Sequence, residues 1–271
     1  MAIDGKSLRR SFEHGWDKSG MAHLVSAFVK ENGLSLAQIK TDGKGKELDG
    51  IEKILAMLDL QGAVVTIDAL GCQIHIAEII VKARADYLLQ VKDNQPTLAA
   101  KIQTVFDEAT LEKFKGYRHA TFTTTDGDHG RLEIRTIDVL WNVEHLGALC
   151  GQWPGLRCLV RVTSSRAVVG KTSVEQHYYI STLDRRRKAQ RILELVRGHW
   201  SIENNLHWQL DVSFSEDQRR IRKDHGAENF SRLCRIALIL LKNETTQKTG
   251  IEIKRQTCGW NDQYLLKVLA G

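Results

Sequence analysis

The sequence predicts an α/β protein: a mixed sheet with helices on its faces and a strand-rich insertion in its second half. Three observations carry that expectation. Three strand-like runs open the chain, apolar runs then alternate with amphipathic stretches as far as residue 114, and strand patterns dominate from Tyr117 onward.

The elements follow in order. Residues 1–3 form the stub of a first strand, 22–30 alternate well enough for a second, and 34–41 for a third, with 31–33 (Glu-Asn-Gly) as the hairpin turn. Residues 47–58 put Ile51, Ile54, Leu55 and Leu58 on one helix face. The continuous apolar run 63–67 reads as a strand buried on both faces, 74–85 as a helix, 87–91 as another buried strand and 97–114 as a helix. Three antiparallel strands feeding into strands that alternate with helices is the ribonuclease-H-like order, parts of which other α/β folds share. Strand patterns recur at 120–125, 131–140, 156–163 and 176–182, with turn signals at 126–130 and Pro154-Gly155. Asp184 is placed to cap the helix that follows, 227–241 is a strongly apolar helix, and 251–269 reads as a strand or loop followed by a short helix. These features divide the chain into a first part of the core (1–116), a β insertion (117–183) and a helical completion of the core with a tail (184–271).

Composition narrows the class. The chain has 271 residues, 42% hydrophobic and 27% charged, an ordinary globular balance, and its two prolines argue against long disordered linkers. A net charge of +6 suits a polyanionic partner without requiring one. Five scattered cysteines with no C-x-x-C pair indicate reduced thiols in a cytoplasmic protein rather than a disulfide frame or zinc cluster. No apolar run is long enough to span a bilayer, and the start lacks the apolar core of a signal peptide.

The densest chemistry lies between Arg197 and Asp217. His199, Glu203 and His207 recur every fourth residue and would line one side of a continuous helix, with Trp200, Asn204, Trp208 and Asp211 on a neighbouring side. A buried carboxylate there needs a partner or a metal. Upstream, Asp4 and Asp68 each end a short apolar, β-branched run, so each carboxylate would point into the mouth of a sheet. Singly, Asp4 is a turn residue before Gly5 and Asp68 a helix N-cap. With Glu203 they make an acidic triad of hard oxygen donors, suited to Mg²⁺ or Mn²⁺. A transition-metal site on His199, Glu203 and His207 is set aside, because eight helical residues span about 12 Å, too far for one ion.

Several basic and polar residues flank these acids, and each also has a plain structural reading. Lys6, Arg9 and Arg10 hold phosphates or are exposed turn charges; Arg185, Arg186 and Arg187, with Lys188 behind them, contact phosphate or form a solvated helix face. Arg197 stands at the start of the dense segment. Lys92 and Asn94 line a cleft or decorate a loop. His199 and His207 position a water or phosphate, or pack in the core. Trp200 and Trp208 are expected in the core, with base stacking as the alternative.

These residues resemble the hallmark of the H-repeat-associated, ISAs-type insertion-sequence transposases, a family of DDE transposases. The matching pieces are Ala2-Ile-Asp-Gly-Lys6, Val65-Thr-Ile-Asp-Ala69 with Gly71-Cys-Gln73, Asp86-Tyr87, Val91-Lys-Asp-Asn-Gln-Pro96, His129-Gly-Arg131 and residues 197–217, which together cover almost the whole chain. The resemblance implies a ribonuclease-H-like catalytic core with a β insertion before the last acid. It implies Asp4, Asp68 and Glu203 as catalytic metal ligands, with Mg²⁺ or Mn²⁺ as the only cofactor. It further implies cleavage of double-stranded DNA at element ends followed by strand transfer into a target, carried out by a homodimer. Better-known relatives carry Tyr, Arg and Lys around the third acid, where Val196, His199 and Leu210 stand here. Relatives also carry a helical region before the first acid, so the resemblance implies an amino-terminally truncated transposase. Two functional readings stay open: an active DDE transposase, and a catalytically inactive DNA-binding remnant.

Overall fold

The computed structural model describes residues 1–12, 20–128, 131–168 and 171–270, with no account of the side chains of residues 44, 128 and 131. The chain forms two compact units, one of residues 1–57 with 200–271, the other of residues 58–199. The element order strand, strand, strand, helix, strand, helix, strand, helix is the ribonuclease-H-like order expected.

In the first unit, β1 (Ala2–Ser7), β2 (His23–Val29) and β3 (Leu34–Thr41) form an antiparallel meander. β1 is a full strand rather than the stub expected, pairing along its whole length, with Asp4 opposite Ser26 and Lys6 opposite Leu24. Gly33, at φ 64°, makes the β2–β3 turn that a side chain would resist. Helix α1 (Glu47–Met57) buries Ile51, Ile54 and Leu55. Its Gly50 faces β2 and β3 so closely that a Cβ would stand 2.6 Å from Thr41 Cγ2 and 2.7 Å from Val25 Cγ2. Gly5 is equally confined, beside a buried pair in which His23 Nε2 lies 3.0 Å from Glu47 Oε2.

The carboxy-terminal part of this unit is helical. Residues 251–269, expected to begin as strand or loop, instead form two helices, α7 (Ile251–Trp260) and α8 (Asp262–Ala270), preceded by α5 (Trp208–Phe214) and α6 (Gly226–Asn243). Ile202, Leu206, Leu210 and Phe214, spaced by four, pack with Ala2 and Phe28 of the meander and with Cys234, Leu238 and Leu241 of α6.

A charge network ties β1 to these helices. The Lys6 ammonium donates to Asp211, to Glu216 Oε2 at 3.2 Å and to the His207 carbonyl at 3.5 Å. Glu216 Oε1 accepts from Ser231 Oγ at 2.6 Å and lies 3.5 Å from Arg235 Nη1, while Arg235 Nη2 donates to Ser26 Oγ of β2 at 3.1 Å. The Lys6 and Glu216 side chains are 9% and 3% exposed. By contrast Arg9 meets Asp217 at 3.1 Å from an exposed position.

The second unit has strand order β4-β5-β9-β8-β7-β6. β4 (Val64–Ile67) runs parallel to β5 (Asp86–Val91), and the remaining pairings are antiparallel: β9 (Lys171–Ser181) on β5, then β8 (Cys158–Val168), β7 (Arg131–Leu140) and β6 (His119–Asp128). The β insertion therefore extends the sheet that β4 and β5 begin. Residues 129 and 130, which carry the His129 and Gly130 of the family resemblance and part of the expected turn signal, lie outside the described residues. Ile137, Val139, Val160 and Val162 alternate inward and pack against Ile192, Leu193 and Val196 of α4 (Ala189–His199). Helices α2 (Ile74–Lys82) and α3 (Pro96–Leu111) complete the unit. Among the described residues no helix is long and apolar enough to cross a membrane.

Two pairs of substitutions test this packing. Gly50→Ala gains about 1 kcal/mol of helix propensity but overpacks against stiff β-branched side chains, which costs about 1–3 kcal/mol. The net expected in urea melts is a loss of up to about 2 kcal/mol. Gly259→Ala in α7 meets open space and is expected to gain up to about 1 kcal/mol. Lys6→Met takes the nearer cation from buried Glu216, leaving it Ser231 and Arg235, and is expected to cost about 2–4 kcal/mol, somewhat less than leaving a buried charge with no partner, whereas Arg9→Met should stay within about 0.5 kcal/mol.

Candidate active site

The segment carrying Glu203 is not one continuous helix. α4 ends at His199, Trp200 lies in a turn, and Glu203–His207 form a π turn in which the Trp208 N–H bonds the Glu203 carbonyl five residues back. Such turns insert one residue into a helix and recur at functional sites. The expected row of His199, Glu203 and His207 is therefore broken. His199 belongs to the second unit, and only Glu203 and His207 remain neighbours, with His207 Nδ1 3.1 Å from Glu203 Oε2.

The same imidazole nitrogen lies 3.5 Å from Asp4 Oδ2. One donor atom from each of Asp4, Glu203 and His207 falls within 4.8 Å of the others. Asp4 is half-buried on β1, Glu203 has 58% of its side chain exposed, and His207 is 2% exposed. The hydrogen bond from His207 holds the Glu203 carboxyl below its ordinary range, and the charges of His207 and Lys6 act in the same direction against partial burial. Glu203 is thus an anion at neutral pH, open to solvent on one side and anchored on the other. His207 Nε2 is buried with no hydrogen-bond partner among the described residues, so the polar contacts of the ring lie on its acidic side. Two oxygens and one nitrogen converging at this spacing fit the donor set of one small divalent cation.

Asp68 sits in the second unit, just past β4. Its carboxylate accepts from the Leu70 N–H at 3.1 Å and so caps the short turn Ala69–Gly71. Asn94 secures that turn by donating to the Ala69 carbonyl and, at 3.5 Å, to the Cys72 carbonyl, which also accepts from Gln95 Nε2 at 3.0 Å. Neighbouring Lys92 is exposed.

The other residues singled out in the sequence take varied places. Lys6 is engaged by Asp211 and Glu216, and Arg9 by Asp217. Arg10 is exposed, and its carbonyl accepts from Arg222 Nε at 3.2 Å. Arg185, Arg186 and Arg187 are exposed, with Arg186 Nε 2.7 Å from Asp184 Oδ2. Arg186, Arg187, Lys188 and Arg191 line an open recess of about 330 Å³. Arg197 reaches Asp126 at 3.3 Å. His199 Nδ1 lies 3.1 Å from Thr66 Oγ1, and burial pushes its pKa down to about 4, so the ring is neutral at physiological pH. Trp200 and Trp208, expected in the core, are instead 51% and 52% exposed, because the spacing of Ile202, Leu206, Leu210 and Phe214 gives the buried face to aliphatic side chains. The contact of His207 with Asp4 was not legible from spacing, since it depends on β1 lying against the π turn, whereas its four-residue spacing from Glu203 did show that pair.

Comparisons with known proteins bear on the family of the chain. The transposase DDE domain family model matches residues 1–240. Protein YbfL of Escherichia coli is 38% identical over 278 aligned residues, covering 100% of this chain and 71% of the relative. The H repeat-associated protein YhhI of Escherichia coli, named as a candidate transposase, is 37% identical with the same coverage. YncI of Escherichia coli, also named as a candidate transposase, is 39% identical over 100% of this chain and 68% of its own length. Among solved structures, a piggyBac transposase synaptic complex with hairpin DNA aligns at 12% identity and a TM-score of 0.38, over 91% of this chain and 54% of that one, a likeness too weak to support an argument. On the family match and the full-length relatives, the chain belongs to the DDE transposase family.

Proposed function

We propose that this chain is the transposase of an insertion sequence, cutting double-stranded DNA at the element ends and joining the freed strand to a target. The observation that carries this reading is the convergence of Asp4 and Glu203, far apart in sequence, on one buried histidine with donor atoms within 4.8 Å. Family membership implies dependence on a divalent metal ion, and this reading takes Mg²⁺ or Mn²⁺ as the ion and Asp4, Asp68 and Glu203 as its ligands. Asp68 enters through the family resemblance. When bound, the metal lowers the pKa of an attacking water or DNA 3′-hydroxyl and stabilises charge at the scissile phosphate.

The chain's own residues supply positioning and charge. Glu203 presents an ionised carboxylate at a solvent-open position, and Asp4 holds its carboxylate on a strand with full pairing. Asn94 fixes the turn from which Asp68 projects. The recess lined by Arg186, Arg187 and Lys188, together with Arg185 beside it, suits the phosphate backbone of duplex DNA. Arg10 and Lys92 are exposed cations for the same role, and Arg197 would join them by exchanging Asp126 for phosphate. Lys6 is assigned to holding structure instead, because it is buried against Asp211 and Glu216, whereas Arg9, exposed beside Asp217, could exchange that partner for phosphate as Arg197 would. A cytoplasmic homodimer acting on DNA completes the reading.

The test is Mn²⁺-dependent nicking of a plasmid carrying the element ends. Wild type is expected to nick, and Asp4→Asn, Asp68→Asn and Glu203→Gln are each expected to lose at least about a hundredfold in rate while remaining folded. Nicking that survives in these variants, or a folded wild type that binds DNA in a salt-sensitive way without cutting it, would overturn the reading.

A further inference from the structure

We propose that His207 is itself a ligand of the metal held by Asp4 and Glu203, so that the site offers a mixed nitrogen and oxygen donor set. The inference rests on the metal-dependent reading above and goes beyond it, since that reading takes only carboxylates as ligands.

The geometry is the first argument. Donors about 2.1 Å from one ion stand about 3.0 Å apart at right angles and about 3.4 Å apart at tetrahedral angles. His207 Nδ1 is 3.1 Å from Glu203 Oε2 and 3.5 Å from Asp4 Oδ2. Both distances match neighbouring donors around a single ion.

Burial is the second argument. At 2% side-chain exposure, the His207 ring has exchanged water for protein on every side. Its Nε2 meets no partner among the described residues, while Nδ1 meets two carboxylates at once. Nδ1 can carry a single hydrogen, which cannot be given fully to both carboxylates. A cation between the three atoms satisfies all of them.

Placement is the third argument. The π turn brings His207 and Glu203 to one side of the helix, and the His207 carbonyl accepts from Lys6, so the residue is held at both its backbone and its ring. Imidazole favours first-row transition ions, whereas carboxylates serve Mg²⁺ well. The mixed set therefore implies tighter binding of Mn²⁺ than of Mg²⁺, with His207 responsible for much of the difference.

The test is Mn²⁺ binding to the full chain, followed by electron paramagnetic resonance, with electron spin-echo modulation to detect a directly bonded nitrogen. Wild type is expected to show imidazole nitrogen coupling that changes when histidine carries the heavy nitrogen isotope. His207→Gln is expected to lose that coupling and about tenfold or more in Mn²⁺ affinity, with less than about threefold change for Mg²⁺. Isotope labelling reads the coupling in the unaltered protein, so the result stands even if a variant folds poorly. Bound Mn²⁺ that Asp4→Asn displaces but that shows no nitrogen coupling would overturn the role of His207 and leave the acidic site intact. Coupling that persists in His207→Gln would equally overturn it. Absence of Mn²⁺ binding sensitive to Asp4 would overturn both this proposal and the metal-dependent reading.

Discussion

The Lys6 ammonium, buried between Asp211 and Glu216, is the contact on which the first unit depends. Lys6 and Asp4 are two residues apart on a strand, so their side chains leave the same face and whatever seats one seats the other. Asp211 lies one turn beyond His207, so the same ion pair also holds the helix that carries Glu203. Burying such charges costs several kcal/mol per ion unless the remaining donors and acceptors are satisfied. Here Ser231, Arg235 and Ser26 extend the network across α6 and β2. Its consequence is specificity of placement: the ammonium cannot leave without taking the nearer buried cation from Glu216, and β1 cannot slip without moving the ammonium.

The π turn is the second constraint. Ile202, Leu206, Leu210 and Phe214 keep one face of the segment in the core, while the inserted residue changes how the opposite face is presented. Glu203 reaches solvent and His207 stays inside, although the two remain hydrogen-bonded. An anion that can meet a substrate, tied to a ring that cannot move, is what a metal-binding carboxylate requires for a fixed position.

Much of the fold was legible because hydrophobic period and turn chemistry agreed. The meander, α1 and the alternation of β4, α2, β5 and α3 were found within a few residues of their observed ends. Where the reading failed, tertiary contacts decided. β1 extends to Ser7 because pairing with β2 outweighs the weak strand signal of Gly5-Lys6-Ser7. Residues 251–260 became helix because Ile251 and Cys258, seven residues apart, pack against the α5–α6 core, which β-propensity could not reveal. Among the candidate residues, Asp4, Asp68 and Glu203 stood out in the sequence as acids at strand ends and in an aromatic-rich segment, and the structure brings Asp4 and Glu203 together at His207. The interruption at Trp200 and the π turn did not stand out: Gly198 precedes the interruption but lies inside α4, and no glycine or proline marks the π turn. Consequently the four-residue spacing of His199, Glu203 and His207 misled for His199 and held for His207. Lys6 and Arg9 looked like phosphate contacts because the acids that engage them lie about two hundred residues further along the chain.

The Lys6 ion pairs couple β1 to the segment that runs from Glu203 through Asp211 to Glu216. A double-mutant cycle with Lys6→Met and Glu216→Gln, read on unfolding free energy, measures that coupling most directly. The interaction expected is at least about 2 kcal/mol, with the double variant more stable than the sum of the single losses implies. Additive losses, with a coupling within about 0.5 kcal/mol of zero, would contradict it.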